Sequence, residues 1–157
     1  MTAALDDVVV LDLTNTFSAS LTATFLADFG GQVIRLELLP GALEPKVTDG
    51  SWDYEADLIH RNKQSVVINP AAEQGRKLLA ELTAKADVII TDWQLAELQV
   101  LALDYQSVSK MNPTIIYGRT SGFGPAGPDR DKPVIDELAA ARAGAMPTLP
   151  QPGEPPV

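Results

Sequence analysis

Apolar residues in this chain fall into short β-branched runs that alternate with segments of helical period. The run Val8-Val9-Val10-Leu11-Asp12-Leu13-Thr14 is too short for a helix and is followed by polar turn residues, which predicts a buried strand central to a sheet. Residues 18–29 place Leu21, Phe25, Leu26 and Phe29 near helical spacing, with Ser or Thr as cap and Gly30-Gly31 as the stop. Residues 32–37, Gln-Val-Ile-Arg-Leu-Glu, read as a second strand. The opening of the chain is therefore a βαβ unit with a parallel crossover.

Residues 38–64 contain Pro40, Gly41, Pro45 and Gly50 without a sustained period, which predicts a long connection of the kind that often carries function. Residues 65–68 predict a strand. Residues 71–85 predict the clearest helix, entered at Pro70 and striped by Leu78, Leu79 and Leu82. Residues 87–91 are strand-like, 94–101 and 105–110 are short helical stretches, and Asn112-Pro113 turns the chain into a strand over 114–120. The alternation predicts an α/β fold, a Rossmann-like mostly parallel sheet spanning residues 1–145, with ligand contacts in the loops beyond the carboxyl ends of the strands. Residues 146–157 hold five prolines and no apolar period, which predicts an extended Pro-rich linker or arm.

Composition narrows the chemistry. A formal charge of -9 with only 12 Lys and Arg argues against nucleic acid as a partner. The absence of cysteine removes disulfides and thiolate catalysis, and with His60 as the sole histidine neither a His-based metal cage nor a Ser-His triad can be built. No apolar run reaches the roughly 18 residues that span a bilayer. The acidic start lacks a basic leader, so the plain expectation is a cytoplasmic protein with no membrane partner.

Several motifs admit two readings. Gly122-Phe123-Gly124-Pro125-Ala126-Gly127 matches G-x-G-x-x-G, but Pro125 and Pro128 remove N–H groups that such a loop would aim at a pyrophosphate, which favours a tight turn. His60 and Arg61 with Asn62-Lys63-Gln64 form a basic cluster that reads as a solvated loop or as a site for an anionic ligand. Arg35, at the end of the second predicted strand, is expected at the same sheet edge. Trp93 follows a strand directly and reads as a core cover or as a stacking surface for a flat ring. Asp129, Asp131, Asp136 and Glu137 read as a hydrated acidic surface.

Taken in order, residues 10–14 (VLDLT), 25–37 (FLADFGGQVIRLE) and 61–69 (RNKQSVVIN) resemble the opening of family III CoA-transferases, the CaiB/BaiF group. The resemblance continues through 75–79 (GRKLL), 86–90 (ADVII), 112–117 (NPTIIY) and 121–128 (SGFGPAGP). It implies a Rossmann-like large domain, a smaller second domain and two chains interlocked as a dimer. It also implies transfer of CoA between carboxylic acids, with coenzyme A or acyl-CoA as substrate and no covalently bound cofactor. In that family an aspartate attacks the acyl-CoA, and it lies in a Gly-Asp segment shortly after the region matching residues 153–157. No catalytic residue is therefore expected within this chain, and no metal ligand.

The same resemblance implies CoA contacts at the first βα loop (Asn15, Thr16, Phe17 and Ser18), at Ile68, and at the Asp92-Trp93 pair; Arg35, expected at the same sheet edge as the basic cluster, is added as a cofactor contact from its position. The family commonly follows its aromatic with Arg-Pro-Gly and later has Arg-Leu-Gly, whereas Gln94-Leu95-Ala96 and Val100-Leu101-Ala102 stand here, removing charge-assisted phosphate partners. The racemase branch uses a His-Asp pair where this chain has Ile135-Asp136, which disfavours racemisation. Two readings stay open: a segment of a CoA-transferase, inactive alone, completed by the remainder of the enzyme; or a degenerate, non-catalytic partner of an intact second family member.

Overall fold

The computed structural model describes residues 3–38, 54–130, 132 and 136–144. Five parallel strands, β1 (Val9–Leu13), β2 (Gln32–Leu38), β3 (Lys63–Ile68), β4 (Val88–Thr91) and β5 (Ile116–Arg119), form one sheet in the order β3-β2-β1-β4-β5. The order reverses direction between β1 and β4, as in doubly wound folds, and the space beyond the carboxyl ends of these two strands is where such folds usually receive ligands. Leu13 lies opposite Thr91, and Thr91 opposite Arg119, which aligns three strand ends along one edge.

Helices cover both faces. On one side α3 (Glu73–Lys85), α4 (Leu95–Val100) and α5 (Tyr105–Met111) supply Leu79, Leu98 and Val108 to a core that includes Leu11, Leu13, Leu36, Ile68 and Ile89. On the other, α1 (Phe17–Asp28) packs Ala23 and Ala27 on Val10, Val33 and Ile90. The short helix α2 (Tyr54–His60) lies beside α1, where the Thr24 hydroxyl donates to the Ile59 carbonyl at 2.5 Å. Strand alternation explains the division: Leu11 and Leu13 project to one face of β1, and Val10 and Asp12 to the other.

Each predicted strand is present, but three expectations change. The presumed connection over 38–64 ends in α2 and already enters β3 at Lys63, because Lys63 has a buried partner across the sheet. The positions Pro40, Gly41, Pro45 and Gly50 lie outside the described residues. Helix α1 turns Phe17 and Phe25 outward, as does its C-cap Phe29, at 42%, 52% and 59% exposure, whereas Ala19, Ser20, Ala23, Thr24 and Ala27 are buried and Leu26 packs on the core. Small residues let the helix axis approach the sheet closely, and their hydroxyls and carbonyls serve polar groups beneath it. Leu78 likewise points outward at 43% exposure, leaving Leu79 and Leu82 to pack α3.

Beneath α1 lies a polar cluster. Lys63 Nζ sits 2.7 Å from Asp12 Oδ2 and donates to the Ser20 carbonyl at 2.8 Å, with both charged side chains almost fully buried. Asp12 Oδ1 accepts from the Thr14 amide at 3.1 Å and the Thr14 hydroxyl at 2.5 Å; that hydroxyl also meets Ser20 Oγ at 2.6 Å. Burial pushes the Lys63 ammonium below its ordinary pKa, and its bond to Asp12 opposes that shift. The cluster ties β3, β1 and α1 together.

Helix ends follow local chemistry. Gly30 at φ 98° closes α1 in a Schellman turn, its amide bonded to Ala27 and that of Gly31 to Leu26. The same turn closes α4, with Ala102 bonded to Gln99 and Leu103 to Leu98, but here alanine occupies the left-handed position at φ 56°. Asp104 caps α5, accepting from the Gln106 and Ser107 amides at 3.1 and 3.2 Å. At Gly75 in α3 a side chain would overlap the Asn69 carbonyl, so glycine lets the helix seat against the end of β3.

Residues 121–157 form a second unit. Its described part holds positive-φ turns at Gly124 and Gly127 and the helix α6 (Asp136–Arg142), which the sequence pattern did not predict. Asp129 pairs with Lys132 at 2.6 Å and with Arg142, whose guanidinium lies 4.9 Å above the Phe123 ring. Lys132 and then Arg142 hold the Asp129 carboxyl below its ordinary pKa. Asp129 is thus part of an ion-paired turn rather than a free acidic surface. Asp131, Ile135 and the arm 146–157, with the side chains of Asp136 and Glu137, lie outside the described residues.

Two stability predictions follow from these contacts. Lys63→Met leaves the Asp12 carboxylate buried and unpaired and should lose about 3–5 kcal/mol in urea unfolding. Combining it with Asp12→Asn should cost clearly less than the sum of the two single losses, and simple additivity would show that the pair is uncoupled. Separately, Ala102→Gly should raise stability by roughly 1 kcal/mol, since a left-handed alanine carries about that penalty; an unchanged or lower midpoint would contradict the strain.

Candidate functional site

The β1–α1 loop and the end of β4 meet at the crevice where strand order reverses. The Asp92 carboxylate reaches across, accepting from the Asn15 amide at 3.0 Å through each oxygen and from the Thr16 amide at 2.6 Å. Asn15, Thr16, Phe17 and Ser18 are exposed there, and Asp92 and Trp93 are half-buried. Thr16 stands at the N-cap of α1 without a side-chain capping bond, so Asp92, from another element, satisfies this corner. Of the residues singled out from sequence, Asn15, Thr16 and Asp92 are bonded together at this switch point, with Phe17, Ser18 and Trp93 adjoining them along the chain.

Trp93 sets its ring against the larger core beside the loop. Its amide donates to Thr91 Oγ1 at 3.2 Å, and its buried Nε1 has no hydrogen-bond partner among the described residues. Arg119, at the end of β5, donates through Nε to the Trp93 carbonyl at 3.1 Å. It places a guanidinium at the carboxyl edge next to the crevice. Motif reading missed it, although its place just before the Gly/Pro turn, at the end of a predicted strand, was the available signal.

Two expected site residues stand apart. Arg35 is the central residue of β2, paired in register with Asp12 and Ser65, and lies 3.9 Å from Glu37 with its side chain 14% exposed. It is within the α1 face of the sheet rather than at the strand end, because β2 runs on to Leu38. Ile68 ends β3 at the carboxyl edge, but its side chain is in the core and β2 separates its strand from β1. Only its backbone faces that edge.

The basic cluster at 60–64 is largely neutralised within the fold. Arg61 bonds Asp28 at 2.5 Å, Asn62 donates to the same carboxylate at 2.8 Å, and Lys63 is committed to Asp12. The Arg61 guanidinium holds the Asp28 carboxyl below its ordinary pKa. Neither a solvated loop nor an open anion site describes it: the cluster fastens the α2–β3 turn to α1. His60 is half-buried, with Nδ1 lacking a partner among the described residues. Burial, then the charges of Arg35 and Lys63, lower its pKa below 6.5, opposed by Asp12 and Glu37.

A separate cavity of ≈ 390 Å³ opens between α3 and the α4–α5 segment, walled by residues such as Leu79, Thr83, Leu101 and Met111. It contains none of the six crevice residues. Among the described residues no three His, Cys, Asp or Glu side chains gather as metal ligands, and no helix is long and apolar enough to cross a membrane.

A doubly wound parallel sheet with two loops joined at its switch point defines an α/β scaffold of the Rossmann-like kind. Comparison with known proteins is more specific: the sequence profile of CoA-transferase family III matches residues 5–157, and the chain belongs to that family. It is 33% identical to cinnamoyl-CoA:phenyllactate CoA-transferase of Clostridium sporogenes, over 90% of this chain and 36% of that protein. It is 32% identical to acetyl-CoA:oxalate CoA-transferase of Acetobacter aceti, over 96% and 40%. A crystal structure of a CaiB/BaiF family protein from Brucella suis superposes with a TM-score of 0.87 at 27% identity, covering all of this chain and 43% of that one. The chain therefore spans roughly two fifths of these relatives.

His60 gives the scaffold a measurable pH dependence. With its folded pKa below 6.5, the unfolded chain takes up the proton first as pH falls, so stability is full above about pH 7.5 and declines through 6.5 toward the folded value. It is the only histidine, so His60→Gln should flatten the unfolding free energy between pH 7.5 and 5.5. A wild-type protein equally stable at both pH values would contradict this.

Proposed function

We propose that this chain is the CoA-recognising α/β part of an enzyme that moves CoA between carboxylic acids, with the attacking aspartate supplied by chain outside these 157 residues. The observation that carries the reading is the convergence of Asn15, Thr16, Phe17, Ser18, Asp92 and Trp93 on the switch-point crevice of a family III chain. Trp93 offers an aromatic edge to the adenine or pantetheine of an acyl-CoA, and Arg119 offers a cation for a phosphate. Arg35 and Ile68 are assigned smaller parts, Arg35 as a charge beneath the α1 face and Ile68 through its backbone at the carboxyl edge. The complete enzyme works as an interlocked homodimer in the cytoplasm.

A second reading is a non-catalytic partner of an intact family member. It is favoured by the commitment of Arg61 and Lys63 to Asp28 and Asp12, which leaves fewer cations for CoA phosphates.

Calorimetric titration of CoA into this chain, and into a form extended to the full length of its relatives, separates the two readings. The enzyme reading expects saturable heat from the extended form, roughly tenfold weaker after Trp93→Ala. No heat from the extended form would reject it.

A further inference from the structure

The carboxylate of Asp92 lies where a doubly wound fold commonly receives an anion. Backbone N–H groups at the start of the first helix, at the switch point, are the standard seat for ligand phosphate. Here the Asn15 and Thr16 amides point at Asp92, with contacts of 3.0, 3.0 and 2.6 Å. The Asp92 negative charge also sits at the positive end of the α1 dipole, and offsets it. Three contacts to two successive amides fix the loop in one conformation, and they present a ligand with a carboxylate where open amides would otherwise stand.

We infer that Asp92 is a positioning and specificity residue: it clamps the β1–α1 loop to the end of β4 while keeping CoA phosphates off the Asn15 and Thr16 amides. The inference rests on the CoA-recognition reading above. A neutral portion of the ligand faces the loop, and the phosphates are directed to cations such as Arg119. Asp92 thereby sets affinity downward and orientation upward.

The two roles separate by substitution. Asp92→Asn keeps an oxygen acceptor and removes the charge; Asp92→Ala removes both. In Asp92→Ala, hydrogen exchange at the Asn15 and Thr16 amides should accelerate by about tenfold or more. In Asp92→Asn those amides should remain protected, while CoA binds the extended form roughly fivefold tighter and with greater sensitivity to salt, since a like charge near the ligand anion is gone. Unchanged exchange in Asp92→Ala overturns the clamp. CoA affinity in Asp92→Asn that is equal to or weaker than wild type, with protection retained, overturns the specificity role. If neither form binds CoA, the CoA-recognition reading fails by itself. Inorganic pyrophosphate then serves as the anion, and equal affinity of wild type and Asp92→Asn overturns the inference.

Discussion

The structure depends on a single ion pair placed where ion pairs are costly. Lys63 and Asp12 are buried between the sheet and α1, and each is usable there only because its remaining valences are filled. The ammonium also reaches the Ser20 carbonyl, and the second carboxylate oxygen takes both the amide and hydroxyl of Thr14. Because the pair joins an edge strand to a central one across β2, it fixes the register of three strands. Apolar contacts alone would fix it less sharply, since a slipped parallel strand still presents valines and isoleucines to the core. The pair also explains α1: a helix over a buried polar cluster must approach closely and offer carbonyl and hydroxyl oxygens. Ala, Ser and Thr do this, and Phe25 and Phe29 are displaced to the outside.

The constraint passes from the cluster into the candidate site without a gap. Thr14 belongs to the buried network through its hydroxyl, and the next two residues, Asn15 and Thr16, are held by Asp92 from the far side of the crevice. The first loop is thus anchored at its root by Asp12 and at its tip by β4. A loop restrained at both ends gives a ligand a preformed surface, which lowers the ordering cost of binding.

Fold class and strand positions were legible in the sequence because β-branched runs and helical periods alternate with little ambiguity, and the family resemblance agreed with a parallel α/β sheet. What escaped were facts that depend on a partner distant in sequence. Lys63 reads as a loop cation until Asp12, 51 residues earlier, is known to lie opposite it. The inward face of α1 was misjudged because its period matches large apolar residues on one side and small ones on the other, and only the polar cluster decides between them. Arg35 was expected at a strand end although two residues of the strand read over 32–37 follow it, and the register with Asp12 places it mid-strand. For the site, Asn15, Thr16, Asp92 and Trp93 were nameable by resemblance, but that Asp92 bonds to the other two required geometry.

Electrostatics give these placements a common sense. The chain carries a net charge of -9, yet its positive residues near α1 are consumed within the fold, Arg61 by Asp28 and Lys63 by Asp12. Asp92 accepts from two backbone amides, which satisfies its oxygens but leaves its negative charge in place, so that corner disfavours a phosphate. Arg119, fixed by its bond to the Trp93 carbonyl, then supplies positive charge at the carboxyl edge beside that corner. Orientation of an anionic ligand would come from this contrast between a loop carboxylate and a nearby guanidinium, a distinction that total charge and residue counts do not contain.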